Sequence, residues 1–182
     1  MISFPRSGNT LLRAYLEKIM GLHTGSGGSP KDKMIIQLKN GGFNGETITD
    51  KRVIVVKTHS PERVGRGAFD AERAILLVRS PLDALTSEFN IMATGTHDLS
   101  ISDADLRRKI DVFNEFIEQE ITVWKDFHEF WLKKSSVIPF HIVRYEDLMN
   151  NPESVLKPLI EFVINRGDIT GTKIEQYIKI AV

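Results

Sequence analysis

Three short stretches of this 182-residue chain bring together residue types that can hold an anion and move a proton. The first is Pro5-Arg6-Ser7-Gly8-Asn9-Thr10. A small-residue loop between a strand and a helix leaves backbone N–H groups free to surround phosphate oxygens, and the positive end of the helix dipole adds to the attraction. Arg6 supplies a permanent two-pronged donor, with Ser7, Asn9 and Thr10 as further donors. Taken alone, the segment is explained equally well as an ordinary strand-to-helix turn with a capping residue.

The second stretch is Lys57-Thr58-His59, which follows the β-branched run Val53-Ile54-Val55-Val56. A nucleoside triphosphatase would carry G-x-x-x-x-G-K with a magnesium-binding hydroxyl, and a carboxylate at the end of another strand. This chain lacks both and has a cation and an imidazole instead, which favours metal-free transfer of an anionic group. Ligands of doubly wound sheets lie beyond the carboxyl ends of the strands, so Lys57 and His59 would stand beside the Arg6 loop if the two strands are neighbours. His59 is then a candidate general base, and Lys57 could hold charge that develops on the transferred or departing group. The remaining histidines, His23, His97, His128 and His141, read as ordinary surface or core residues.

The third pair is Arg79 and Ser87, eight residues apart, or about two turns along a helix. Both could face one edge of the sheet and hold a second phosphate. By spacing alone, a pair between Arg79 and Asp83 with Ser87 as a plain helix residue is the better explanation.

The elements that would position these groups follow from periodicity. Ile2 to Phe4 reads as a short strand, and Leu11, Leu12, Tyr15, Leu16 and Ile19 take up helical spacing after the first loop. Residues 21 to 50 read mostly as loop, with one amphipathic piece from Met34 to Leu38. Val53 to Val56 and Ala74 to Val78 resemble parallel strands covered on both faces. Ser80-Pro81-Leu82-Asp83 starts a helix to about Met92, with an N-cap hydroxyl and proline at the first position. Thr94 to Ser102 is a polar loop. A long amphipathic helix then carries Ile110, Phe113, Ile117, Ile121, Trp124, Phe127 and Trp131. Phe140 to Val143 is a further strand, and Asn151-Pro152 opens a helix through Phe162 that Arg166-Gly167 could stop. Alternation of strand and helix predicts an α/β domain with a mostly parallel central sheet, spanning residues 1–182 as one unit.

Lys plus Arg and Asp plus Glu both total 24, so nothing suggests steering toward nucleic acid or an anionic membrane. Residues 1 to 69 nevertheless carry 11 basic and 5 acidic side chains, net +6, and the remainder carries 13 and 19, net −6. A compact anion is better received near the N-terminus. The absence of cysteine removes disulfides, thiolate catalysis and Cys-ligated zinc, and fits a cytoplasmic setting. No run approaches the roughly 20 apolar residues that span a bilayer.

Taken together, the segments resemble the PAPS-dependent sulfotransferases, PAPS being 3′-phosphoadenosine 5′-phosphosulfate. Ser3-Phe4-Pro5-Arg6-Ser7-Gly8-Asn9-Thr10 looks like their 5′-phosphosulfate loop, and Val56-Lys57-Thr58-His59 is similar to the segment bearing their catalytic histidine. Ile75 to Ala84 with Ser87 resembles the 3′-phosphate motif, in which an arginine and a serine eight residues later bind that phosphate. Val143-Arg144-Tyr145-Glu146-Asp147-Leu148 looks like the Y-E-D-L segment, whose tyrosine lies near the adenine.

The resemblance implies a three-layer αβα fold related to the P-loop nucleotide kinases, PAPS as co-substrate, in-line transfer and no metal. By position, Arg6, Ser7, Gly8, Asn9 and Thr10 would hold the 5′-phosphosulfate, Arg79 and Ser87 the 3′-phosphate, and Tyr145 the adenine. His59, Lys57 and Arg6 form the expected catalytic set. P-R-S-G-x-T-L-x-R is closer to the protein-tyrosine branch, whereas cytosolic members have lysine where Arg6 stands, and Leu11 replaces an adenine-stacking tryptophan. The R-K-G-x-x-G loop that closes the 3′-phosphate site in the family does not occur before Val182, and both edges of the chain read as cut. The acceptor, a small molecule, glycan or peptide, would meet the variable stretches Gly21 to Lys33 and Thr94 to Ser102. Two other readings compete: a metal-dependent, kinase-like phosphoryl transferase, and a noncatalytic nucleotide-binding protein of the same fold.

Overall fold

The computed structural model describes residues 1–61, 71–96 and 99–182. Strands β1 (Ile2–Ser3), β4 (Ala74–Val78) and β5 (Phe140–Arg144) form one parallel sheet in the order β1-β4-β5, while β2 (Gly25–Ser26) and β3 (Val56–Lys57) form a second parallel pair. A parallel bridge between Ile2 and Thr58 joins the two. The Ser3 N–H donates to the Thr58 carbonyl at 3.3 Å and the Thr58 N–H to the Met1 carbonyl at 2.9 Å, so β3 runs beside β1.

The register of β4 shows why this is a three-layer α/β fold. Successive side chains of a strand point to opposite faces. Ile75 and Leu77 enter one core with Leu12, Leu16 and Ile19 of helix α1 (Asn9–Met20) and with Leu156, Leu159 and Ile160 of α7 (Pro152–Val163). Ala74 and Leu76 enter the other with Ala84 and Leu85 of α3 (Pro81–Thr94) and Phe127 of α5 (Ile110–Lys134). Both faces are therefore covered, as an uninterrupted apolar strand requires.

Helices α2 (Lys33–Asn40), α4 (Asp103–Arg108), α6 (Tyr145–Asn150) and α8 (Lys173–Ala181) complete the described elements. Among the described residues, no helix is long and apolar enough to cross a membrane.

Four local readings of the sequence need correction. The strand expected at Val53–Val56 lies at Val56–Lys57, and in the expected stretch only Val55 is buried. Its β-branched side chains set an extended tendency, but Ile54 and Val55 serve instead to bond the His23 carbonyl and the Gly25 N–H. The segment read mostly as loop holds β2 as well as α2, because Gly25 is so tightly enclosed that a side chain would strike the Ile48 carbonyl. Ser80 does occupy the N-cap of α3, yet its hydroxyl makes no capping bond. Helix α7 ends at Val163, before Arg166-Gly167, where Asn165 takes a left-handed φ of 51°. Of the loop from Thr94 to Ser102, His97 and Asp98 lie outside the described residues, and Thr94 closes α3.

Candidate functional site

The carboxyl ends of four parallel strands meet at one cleft of about 510 Å³. Pro5, Arg6 and Gly8 follow β1, His59 follows β3, Arg79 follows β4 and Tyr145 follows β5, and all of them line it together with Asn9, Thr10 and Lys57. Each is carried by a different strand end, so the sheet order alone brings residues 139 positions apart, Arg6 and Tyr145, to a common wall.

The loop after β1 turns sharply. Arg6 has φ 62° and Gly8 φ 96°, both left-handed. For arginine that conformation costs roughly 1 to 2 kcal/mol, which the surrounding contacts must offset. Gly8 is the N-cap of α1, and a Cβ there would run into the Tyr145 ring. The first N–H groups of α1 have no partner within the helix, and the residues at its start, Gly8, Asn9 and Thr10, line the cleft. Ser7 is buried and is not part of the lining, and its hydroxyl has no hydrogen-bond partner among the described residues. Asn9 lines the cleft, and its side-chain amide donates to Ser3 Oγ at 2.5 Å, which braces β1.

His59 is fixed by β1. Its Nδ1 lies 2.7 Å from the Ser3 carbonyl oxygen. A carbonyl only accepts, so Nδ1 carries a proton, and in the neutral ring the lone pair falls to Nε2. Ser60, the next residue, is anchored from the opposite layer, since Trp131 Nε1 of α5 donates to its carbonyl at 2.8 Å. Lys57, 7% exposed, presents a cation from the same strand.

Arg79 makes no ion pair with Asp83 among the described residues. Its Nη1 donates to the Arg6 carbonyl at 2.8 Å, its guanidinium lies 4.5 Å from the Tyr145 ring centre, and its buried Nε has no partner. Glu146 accepts from the Ser80 N–H at 2.7 Å, which ties α6 to the start of α3 and holds Tyr145 against the loop. Ser87 does not line the cleft; it reaches the site through Arg6, whose Nε donates to its Oγ at 3.0 Å. Burial lowers the Arg6 pKa from its usual range, Glu88 opposes that and the neighbouring Arg79 adds to it.

Met34, Gln37 and Leu38 of α2, with Glu88 and Ile91 of α3, form the other wall. No sequence pattern had marked them as a site. The amphipathic spacing of Met34 and Leu38 was visible, but which face of the domain α2 covers depends on long-range packing. The stretches expected to meet an acceptor, Gly21 to Lys33 and the described part of Thr94 to Ser102, contribute nothing to this lining. Of the other histidines, His128 is buried against Trp124, His141 stacks on Phe162 with 5.3 Å between ring centres, and His23 lies 3.8 Å from Glu17.

The chain belongs to the sulfotransferase family: the model of the sulfotransferase domain matches residues 1–170. It is also similar to WSCD family members from insects. The one from Aedes aegypti is 32% identical over 163 residues, which covers 90% of this chain and 49% of the relative. Those of Drosophila pseudoobscura pseudoobscura and Drosophila melanogaster are 32% and 31% identical over the same length. The chain thus spans about half the length of the curated relatives it matches.

Proposed function

We propose that the chain binds PAPS in this cleft and directs its sulfuryl group to a hydroxyl or amine of a small-molecule, glycan or peptide acceptor, with His59 as general base. The observation that carries the reading is the 2.7 Å contact of His59 Nδ1 with the Ser3 carbonyl. With Nδ1 committed to the Ser3 carbonyl, the lone pair on Nε2 belongs to a residue that lines the same cleft as the Arg6–Gly8 loop, Lys57 and Arg79. Such a base suits removal of a proton from an acceptor.

The donor set fits the nucleotide. Arg79 lines the cleft, and its Nε is a buried donor without a partner among the described residues, which an anionic ligand would satisfy. The loop and the first turn of α1 would hold the 5′-phosphosulfate, Arg79 and Ser87 the 3′-phosphate, and Tyr145 the adenine. PAPS supplies an activated sulfuryl group. In the transfer, the acceptor atom bonds to sulfur as the bond from sulfur to the 5′-phosphate oxygen breaks. The acceptor proton passes to His59 Nε2, adenosine 3′,5′-bisphosphate departs, and Lys57 and Arg6 offset the charge that develops. The same reading takes residues 1–182 as one domain in a cytoplasmic setting, and needs no metal.

The test is turnover of PAPS against a panel of acceptors, with calorimetry of adenosine 3′,5′-bisphosphate without metal. His59→Ala is expected to reduce turnover by about 10²- to 10⁴-fold with nucleotide affinity nearly unchanged. Activity of the variant within a few-fold of the parent would remove His59 from the role of base. Binding of ATP that requires Mg²⁺, with none of the bisphosphate, would favour a phosphoryl transferase instead.

A further inference from the structure

Lys57 ends a buried row that crosses β2. Strands β2 and β3 run parallel with Ser26 abreast of Lys57, and a further parallel bridge sets Glu46 abreast of Ser26 on its other side. Residues abreast in parallel strands send their side chains to the same face. That face is the α1 layer: Val55, two residues before Lys57, enters the core with α1, and Thr24, two residues before Ser26, accepts from Arg13 Nε at 2.7 Å. Within the row Ser26 Oγ donates to Glu46 Oε2, while Arg13 Nη1 lies 2.5 Å from Glu46 Oε1. Arg13, Ser26, Glu46 and Lys57 are all buried. The backbone here is packed so closely that a Cβ on Gly25 would strike the Ile48 carbonyl and one on Gly45 the Thr24 carbonyl. Glu46 is thereby held against β2, and of the three residues abreast Lys57 lines the cleft.

We infer that Ser26 and Glu46 are positioning residues that aim the Lys57 ammonium at the 5′-group of the nucleotide. The inference rests on the reading of the cleft as a PAPS site. A lysine ammonium is a point charge on a flexible stem of four carbons, so its direction must come from its surroundings. In the cleft those include two further cations, Arg6 and Arg79, with Glu88 as the carboxylate among the described lining residues. A hydroxyl has one proton and two lone pairs. Ser26 gives its proton to Glu46 and keeps its lone pairs, which the carboxylate polarises, and Lys57 is its neighbour on the same face. Glu46 in turn shares its charge between Arg13 and this hydroxyl. The buried pair that braces α1 thus also anchors a cation of the cleft.

Calorimetry of adenosine 3′,5′-bisphosphate and adenosine 3′-phosphate isolates the 5′-group. In Ser26→Ala the ratio of the two affinities is expected to fall by about three- to tenfold, with adenosine 3′-phosphate bound as in the parent. Ser26→Thr, which keeps the hydroxyl, should hold the ratio at the parent value. In a Lys57→Met background Ser26→Ala should change the ratio no further, because the serine acts through the lysine. An unchanged ratio in Ser26→Ala, whether the two affinities hold or fall together, would overturn the inference and leave the row a structural brace. A further fall in the Lys57→Met background would overturn it as well. If Ser26→Ala does not fold by circular dichroism, Arg13→Met combined with Glu46→Leu removes the carboxylate and keeps the core filled, and an unchanged ratio there overturns the inference alone. A parent that binds neither nucleotide, or binds both equally, would instead remove the PAPS reading itself.

Discussion

Arg6 lies in the loop before α1 and Arg13 in the second turn of that helix, and the chain uses them in opposite ways. Around Arg13, which is fully buried, the oxygens come from the chain itself. Nε donates to Thr24 Oγ1 at 2.7 Å, Nη2 to the Thr24 carbonyl at 3.3 Å, and Nη1 lies 2.5 Å from Glu46 Oε1. Its flat face covers Phe43 at 4.6 Å, and Glu46 also accepts from Ser26 Oγ. This network ties α1 to β2 and to the turn that follows α2. Around Arg6, cations gather at one cleft: Arg79 and Lys57 line it as well, and the buried donors Ser7 Oγ and Arg79 Nε have no partner among the described residues. A buried charge must be paired within the fold or by a ligand. The first arginine is part of the scaffold, and the second stands at the cleft, where its Nε donates to Ser87 Oγ.

The strongest way to break this contrast is to remove the internal partner. Glu46→Ala should destabilise the fold by about 3 to 5 kcal/mol, since it leaves the Arg13 charge buried without compensation. Urea unfolding measures it, and Arg13→Met combined with Glu46→Leu should recover most of the loss. A cost below about 1 kcal/mol for Glu46→Ala would show that the network is solvated.

At the cleft the pattern should invert. Arg79→Ala is expected to leave stability within about 1 kcal/mol of the parent and to weaken adenosine 3′,5′-bisphosphate by roughly ten- to a hundredfold, more than adenosine 5′-phosphate. Calorimetry with the two nucleotides checks this, and equal losses would return Arg79 to a structural role.

Gly8→Ala touches both regions, because it opens α1 and abuts Tyr145. The left-handed φ of 96° and the collision with the ring predict a loss of about 1 to 2 kcal/mol in denaturant unfolding. It should also weaken the nucleotide by a few-fold as Tyr145 and Arg79 move. Parent-like stability would mean that the ring yields freely.

The smallest expected effect separates the scaffold by pH. Burial lowers the pKa of His128, against the opposing Trp124 carbonyl, and burial lowers that of His141. The unfolded chain then binds more protons than the folded one as pH falls through the ordinary imidazole range. Stability is fully present above about pH 6.5 and declines toward the lowered folded values. His128→Phe should flatten part of that decline, by less than about 1.4 kcal/mol per pH unit, in thermal melts at about pH 7.5 and about pH 5.5. An unchanged slope would show that His128 takes no part.

The alternation of strand and helix, both layers of the core and the order of the motifs were legible in the residues because they depend on short periods. Ala74 to Val78 is apolar throughout and so must be covered on two sides, and Pro81 after Ser80 suits the first position of a helix. Arg6, Lys57, His59 and Arg79 were legible as candidates because each stands at or just beyond a strand end, and parallel strands deliver their carboxyl ends to one edge, whereas Tyr145 was marked only by the resemblance of its segment. What tertiary structure decided was how those side chains are paired. Whether Arg79 meets Asp83 or the Arg6 carbonyl, and whether Ser87 stands alone or under Arg6, are contests among groups far apart in the chain that differ by a hydrogen bond or two. The placement of α2 against the cleft, the pairing of Arg13 with Glu46 and the choice of His59 tautomer are likewise set by contacts 20 to 60 residues apart. Local spacing carries no information on them, because the free energy that decides them exists only once the sheet has brought the partners together.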